Sequence, residues 1–239
     1  MKTIKSKERK KLLIRGSILL VVGIISLILV LYNNFSNKDK DPFKDSNTVT
    51  DAVKFKNEYE ELNDKSLKLE IPKNNPMKYI DYMELMEILE DGTGIIYFGF
   101  PACPWCRNAV PVLLDAAKEK DINEIYYFNA LEMRDIKELD ENGNIITKKE
   151  GTEQYKNIVN KLYDYLDVYE GLNDDSIKRL YFPNIFFIQN GKVVKNNMAT
   201  VESQTDPKIP LNDEQYQELK NIYLDGINKI YNYSCNEGC

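Results

Sequence analysis

Four cysteines are the residues of this sequence best suited to do chemistry, and they form two close pairs. Cys103 and Cys106 are separated by two residues, and Cys235 and Cys239 lie at the end of the chain. The chain contains no histidine, which excludes serine–histidine catalysis, cysteine–histidine catalysis and histidine-bound metals. The first pair suits a redox-active dithiol, a purely structural disulfide, or half of a zinc site completed by the tail pair. We favour the redox-active dithiol, because a buried strand is predicted before the motif and a helix after it.

The helix predicted to begin at the first pair should make one thiol acidic. Free backbone N–H groups and the positive end of the helix dipole favour an anion there. A fall of the Cys103 pKa from about 8.5 to about 7 would raise its thiolate fraction at neutral pH from roughly 3% to roughly half. Pro104 suits the first helical turn, where its missing N–H costs nothing, and Arg107 adds a positive charge nearby. We therefore expect Cys103 to be the exposed attacking thiol and Cys106 the buried resolving thiol.

The tail pair has a structural and a redox interpretation. Asn236 and Gly238 favour a loop, in which Cys235 and Cys239 would form a local disulfide. The second interpretation is a shuttle pair that passes electrons to the first pair. We favour the local disulfide.

Strand and helix patterns alternate around the dithiol and predict an α/β fold. Residues 95–100 are a short apolar run typical of a buried strand, and residues 107–118 show helical spacing. Asn190-Gly191 joins two apolar runs and predicts a β-hairpin at 185–195. Parallel strands with a crossover helix, together with this hairpin, predict a mixed sheet flanked by helices.

Further elements are predicted on either side of these. Upstream are a strand at 78–80 and a helix at 82–90, which starts at an Asp81/Glu84 capping box and has Met83, Met86 and Leu89 on its core face. Downstream are a strand at 122–128, an insert at 130–178 with a turn at Asn142-Gly143 and a helix at 155–169, and a final helix at 213–231.

Composition limits the class of partner. The chain has 239 residues, of which 43% are hydrophobic and 29% charged, so it can bury a core. Residues 1–15 carry seven positive side chains and one negative, which leaves 25 basic and 37 acidic side chains in the rest, a net of −12. This negative charge argues against nucleic acid as a partner, because phosphate binding requires a positive surface. The sequence also lacks a P-loop and a dinucleotide-binding glycine pattern.

An apolar segment near the N-terminus predicts a membrane anchor. Residues 16–32 form an uncharged run, GSILLVVGIISLILVLY, about 26 Å long as a helix against a hydrocarbon core of roughly 30 Å. We predict a transmembrane helix at 12–32 that contacts lipid, with the basic tail 1–15 in the cytoplasm and the rest outside. A cleaved signal peptide is the alternative, but no small-residue cleavage site follows Tyr32. The remaining chain divides into a polar tether at 33–52, a folded domain at 53–234 and a cysteine-containing tail at 235–239.

Two segments resemble the thioredoxin-like family, namely IIYFGFPACPWCR at 95–107 and YFPNIFFIQNGKVV at 181–194. The resemblance covers about residues 78–232, interrupted by 130–178. It implies a thioredoxin-like mixed sheet with a helical insert and a cis Phe182–Pro183 peptide bond that faces the cysteines. It also implies that the Phe182 backbone binds an extended substrate peptide. We expect Pro183 and Trp105 to contact the substrate as well, and the Trp105 indole to lie against the two sulfurs.

Two positions depart from the family pattern. Many thioredoxins have a buried aspartate six positions before the first cysteine, where it accepts the proton of the resolving thiol, and this chain has Tyr97 there. The dipeptide Pro104-Trp105 also differs from the common Gly-Pro, so the redox potential of the family cannot be carried over.

The anchor, the insert and the tail are similar to membrane-bound Gram-positive members described as bacteriocin transport accessory proteins. The resemblance implies an extracytoplasmic thiol–disulfide oxidoreductase on the cell membrane that acts on protein or peptide disulfides, with reduction slightly favoured over oxidation. It implies no cofactor or metal beyond the cysteines, and a membrane electron donor or an exporter as a further partner. The alternative is a non-catalytic, partner-binding accessory module of a peptide export system. The presence of both Cys103 and Cys106 favours the enzyme.

Overall fold

The computed structural model describes residues 49–234. The expected basic tail 1–15, the anchor 12–32 and the tail 235–239 lie outside these residues, as does the tether up to residue 48. The last two tether residues, 51 and 52, belong instead to the first helix. Within the described range, no helix combines the length and apolar character that a membrane span requires.

Helices and strands alternate along the described chain. The helices are α1 (Asp51–Glu60), α2 (Tyr82–Glu90), α3 (Pro104–Glu119), α4 (Glu153–Lys161) and α5 (Asp213–Ser234). The strands are β1 (Met77–Tyr79), β2 (Gly94–Phe98), β3 (Ile125–Phe128), β4 (Ile136–Leu139), β5 (Ile145–Lys149), β6 (Asp167–Val168), β7 (Lys178–Arg179), β8 (Asn184–Gln189) and β9 (Lys192–Met198).

Five strands form one mixed sheet in the order β1-β3-β2-β8-β9, which confirms the predicted α/β class. β2 lies parallel to β3 and antiparallel to β8. Asn190 (φ 48°) and Gly191 (φ 70°) form the turn between β8 and β9, so the predicted hairpin is also confirmed. A Cβ atom on Gly191 would lie 1.9 Å from the Glu90 carbonyl oxygen, so this turn requires glycine.

One face of the sheet packs against α1 and α5, and alternate side chains of each strand point to this face. Tyr97 of β2 and Phe187 of β8 share one face, where Tyr97 contacts Tyr59 of α1 and Phe187 packs against Tyr223 of α5. Helix α5 also packs against α3. This face therefore holds the helix that begins at the dithiol.

Helix α2 begins as predicted, but one of its three expected core positions is exposed. The Asp81 side chain accepts hydrogen bonds from the Met83 and Glu84 N–H groups, and Glu84 accepts one from Asp81, which confirms the capping box. The expectation for Met83 is wrong, because its side chain is 63% exposed while Leu85 and Leu89 are buried. Leu89 is buried as expected, and Met86 is partly buried against the core.

The sequence predicts a helical insert at 130–178, but the insert contains strands as well as helices. Strands β4 and β5 form a hairpin that turns at Asn142-Gly143, which confirms the turn, and β6 and β7 form another. The helix predicted at 155–169 ends at Lys161 and is followed by a 3-10 helix, Tyr163–Tyr165. The chain then extends because β6 pairs with β7 and the Tyr169 ring lies 4.1 Å from the Arg179 guanidinium.

Candidate functional site

Cys103 and Cys106 occupy the first turn of α3, directly after the strand β2 and its connecting loop. Cys103 is the N-cap residue, and its Sγ accepts a hydrogen bond from the Cys106 backbone N–H at 3.2 Å. Pro104 stands at the first helical position, as predicted. Both thiols are free in the described structure. The geometry favours a thiolate at Cys103, because the unpaired N–H groups of the first turn point towards its sulfur.

Cys103 is less accessible than the sequence predicts. Only 5% of its surface is exposed, so the expectation of an exposed thiol is wrong. The thiol donates a hydrogen bond to the Phe182 carbonyl oxygen, with 3.6 Å between the two atoms. Cys106 is completely buried, as predicted. The Phe182 carbonyl therefore borders the Cys103 sulfur directly.

The surroundings of the two thiols shift their pKa values in opposite directions. A hydrogen bond from the Cys106 thiol lowers the pKa of Cys103 and outweighs the opposing effect of burial. The backbone N–H groups of Cys106 and Trp105 lower it further, as does the charge of Arg134. Burial, followed by the interaction with Cys103, raises the pKa of Cys106. This asymmetry suits one thiol that attacks and one that keeps its proton until later.

Arg107 does not supply the charge that the sequence suggests. Its guanidinium is buried and donates hydrogen bonds to the carbonyl oxygens of Tyr59 (2.8 Å) and Leu67 (2.7 Å) and to Asn63 Oδ1 (2.7 Å). These bonds attach the segment after α1 to the start of α3. A further donor reaches the Pro101 carbonyl oxygen (3.2 Å) in the loop before Cys103. Arg107 is thus a structural clamp, because its donors are used by oxygen atoms of the protein.

Arg134 supplies the positive charge that was expected from Arg107. It lies in the insert, and its guanidinium carbon is 4.9 Å from the centre of the Phe182 ring. Its positive charge lowers the pKa of Cys103. The buried Nε of Arg134 has no hydrogen-bond partner in the described part of the chain. Sequence reasoning missed this residue, because nothing local to position 134 indicates that the insert folds back over Phe182.

Tyr97 lies in the core beside Cys106. Its hydroxyl group is 2.7 Å from that of Tyr59, and both side chains are fully buried. A Cβ atom on Gly99 would lie 2.2 Å from the Tyr97 hydroxyl, so glycine leaves room for it. A hydrogen bond from Tyr97 lowers the pKa of Cys106, although burial has the larger effect. Tyr59 was missed from the sequence, because it reaches this site from α1.

The Phe182–Pro183 peptide bond is cis, which confirms that expectation. Phe182 is buried, and its ring packs edge-on against Phe100 with 5.6 Å between ring centres. Because the Phe182 carbonyl faces Cys103, the backbone before Pro183 lies directly beside the attacking thiol.

Trp105 is half-buried and lines a groove next to the dithiol. The other walls of the groove come from the end of β9, the loop after it, the insert and α5. The expected contact of the indole with both sulfurs stays a prediction. Among residues 49–234 there is no group of three or more acidic or cysteine side chains arranged to hold a metal ion.

Comparisons with known proteins give no further identification. No family model matches the chain, and no curated protein is significantly similar to it.

Proposed function

We propose that this protein is a thiol–disulfide oxidoreductase of the thioredoxin-like class that acts on protein or peptide disulfides through Cys103 and Cys106. The observation that carries the proposal is the position of the Cys103 sulfur. It caps a helix, accepts the Cys106 N–H at 3.2 Å and faces the Phe182 carbonyl at 3.6 Å. A structural disulfide would need neither an acidic first thiol nor an open groove beside it.

In the reducing direction the reaction has two exchange steps. The Cys103 thiolate attacks one sulfur of the substrate disulfide, so that a Cys103–substrate disulfide forms and the other substrate sulfur leaves as a thiolate. Cys106 then loses its proton and attacks Cys103 Sγ, which closes the Cys103–Cys106 disulfide and releases the second substrate thiolate. The substrate gains two electrons and takes two protons, and a dithiol donor must later reduce the enzyme. Oxidation of a substrate dithiol follows the same steps in reverse.

The second step depends on a proton that is deeply buried. Cys106 has no carboxylate or histidine to receive its proton, since the chain has no histidine and the position six residues before Cys103 is Tyr97. A Tyr97 hydroxyl that donates to the Cys106 sulfur stabilises the thiolate as it forms. Tyr59 supports this by hydrogen-bonding to Tyr97. We propose that this tyrosine pair stabilises the Cys106 thiolate in place of the carboxylate expected from the family resemblance, and that the substrate thiolate released in the first step takes the Cys106 proton.

The proposed setting is the outer face of the cell membrane. The basic residues 1–15 and the apolar run 16–32 support an anchor whose C-terminal side is extracytoplasmic. A partner there would be a membrane dithiol donor or a peptide exporter.

Trapping tests the proposal directly. We expect Cys106→Ser, made together with Cys235→Ser and Cys239→Ser, to accumulate mixed disulfides through Cys103 on cells that express the full-length chain. The adducts should disappear on reduction. The matched control adds Cys103→Ser, which removes the attacking thiol and should trap nothing. If the folded Cys106→Ser protein forms no adducts, the oxidoreductase proposal fails and the accessory binding module becomes the better account.

A further inference from the structure

A groove of about 810 Å³ adjoins the dithiol at Trp105. One wall is the end of β9 and the loop after it, residues 196–204. The other wall is the 3-10 helix and β6, residues 164–167, together with Glu218 of α5. We call this the acidic groove, for the four carboxylates that line it: Asp164, Asp167, Glu202 and Glu218.

The charges of the acidic groove are not neutralised by the protein. None of its four carboxylates forms an ion pair with any residue in the described range, and no lysine or arginine lines the groove. Elsewhere on α5 the pattern differs, since Asp225 pairs with Lys195 and Lys229. A concave surface lined by one sign of charge concentrates ligands of the opposite sign. The complementary ligand is therefore cationic.

The groove also offers backbone and apolar contacts. β9 is an edge strand that pairs only with β8 among the described strands, so its outer edge can bind an extended chain. Two unusually exposed apolar side chains, Tyr165 (42%) and Met198 (36%), line the groove together with Trp105. Aromatic rings next to carboxylates suit the aliphatic stems and charged ends of lysine and arginine.

We propose that the acidic groove binds an extended substrate segment that carries lysine or arginine close to the reacting cysteine. The inference rests on the proposed function, because it assigns the substrate class of the same dithiol. A peptide bound along β9 ends at Trp105, beside Cys103 and Cys106. An anionic peptide is repelled from this path.

Charge-matched peptides test the inference. Three peptides of equal length, without tryptophan, each carry one disulfide flanked by lysine, glutamine or glutamate. The full-length chain is assayed in a non-ionic detergent. We expect kcat/KM for the lysine peptide to exceed that for the glutamate peptide by about tenfold at low salt, an effect typical of electrostatic steering. The ratio should approach one at about 0.5 M salt, because exposed charges are then screened.

A variant pair locates the effect. Glu202→Gln with Glu218→Gln should lower the lysine-to-glutamate ratio by about threefold or more, while Glu70→Gln with Glu87→Gln, whose exposed side chains lie outside the groove, should keep it. The ratio is the measured quantity, since it cancels any general loss of activity. A ratio near one in the unmodified protein, or equal ratios in the two variants, would overturn the inference and leave the oxidoreductase proposal standing.

Binding without chemistry separates the two proposals. The same peptides with serine in place of cysteine cannot exchange disulfides, and Trp105, the only tryptophan, reports their binding by its emission. We expect the lysine peptide to bind at least about tenfold more tightly than the glutamate peptide. If no peptide exchanges disulfides but this difference holds, the proposed function fails and the cationic-peptide groove remains. Equal affinities would refute the groove.

Discussion

The hydroxyl groups of Tyr59 and Tyr97 lie 2.7 Å apart, and neither side chain is exposed to solvent. The bond joins α1 to the central strand β2, directly next to the resolving thiol Cys106. Tyr59 thus takes part in the dithiol site, although it lies almost twenty positions before the segment 78–232 that resembles the thioredoxin-like family. The N-terminal helix is part of the proposed machinery.

Removal of either hydroxyl breaks a buried hydrogen bond. We expect Tyr59→Phe and Tyr97→Phe each to lower the free energy of unfolding by about 1–2 kcal/mol, and the double variant to lower it by less than their sum. Urea unfolding measures all three. Tyr223→Phe is the matched control, because the Tyr223 hydroxyl is buried, is not bonded to this pair and has no hydrogen-bond partner in the described structure, so its loss should cost little. Additive costs in the double variant would contradict the bond.

The attacking thiol should respond to Arg134 and not to Arg107. The pKa of Cys103 is lowered from its ordinary value, in part by the charge of Arg134. We expect Arg134→Gln to raise that pKa, because the substitution removes a positive charge that favours the thiolate. The rate of alkylation against pH, in a protein that retains only Cys103, measures it.

Arg107→Gln is the comparison for this prediction. It removes the donors to the Tyr59 and Leu67 carbonyl oxygens, so we expect the free energy of unfolding to fall by about 3 kcal/mol. The Cys103 pKa should move less than in Arg134→Gln. A larger rise of the Cys103 pKa in Arg107→Gln than in Arg134→Gln would show that Arg107 is the main charge that lowers this pKa.

The stability of the reduced protein should decline in alkaline solution because of Cys106. Burial raises the pKa of Cys106, so the native state keeps a proton that the unfolded chain loses above about pH 8.5. The free energy of unfolding should then fall by about 1.4 kcal/mol per pH unit. Cys103 has the opposite sign: its lowered pKa adds stability that is fully present above about pH 8.5 and lost as the pH falls through its folded pKa.

Urea unfolding at several values between about pH 8 and 9 checks this slope, below the pKa of about 10 at which tyrosines of the unfolded chain ionise. Cys106→Ser should abolish the decline, while Cys103→Ser should keep it. An identical decline in the Cys106→Ser variant would show that another group titrates.

Local patterns predicted the frame of the site. The strand before Cys103, the helix after it, the Asp81/Glu84 capping box and the Asn190-Gly191 hairpin each depend on neighbouring residues, and each is present. Such features follow from the alternation of side chains and from the requirements of turns and caps.

Contacts between distant parts of the chain could not be predicted in the same way. Tyr59 and Tyr97 are 38 residues apart, and Arg134 lies against the Phe182 ring from an insert whose position over this ring no local pattern indicates. Arg107 was predicted to lie at the right place on the helix, but its direction depends on carbonyl groups at positions 59 and 67. The acidic groove likewise joins three segments far apart in the sequence.

The emission of Trp105 should report the redox state of the dithiol. Trp105 is the only tryptophan, and its backbone N–H is directed at the Cys103 sulfur. Closing the Cys103–Cys106 disulfide removes the charge of that sulfur and draws it towards Cys106, so the surroundings of the indole change. We expect oxidised and reduced protein to differ clearly in emission with red-edge excitation. The emission of the Cys103→Ser variant should not change with the redox buffer. Titration then gives the potential: a value near about −270 mV marks a reductase, and one near about −120 mV a strong oxidant. Unchanged emission in protein whose disulfide is shown chemically to open and close would refute the coupling between Trp105 and the sulfurs.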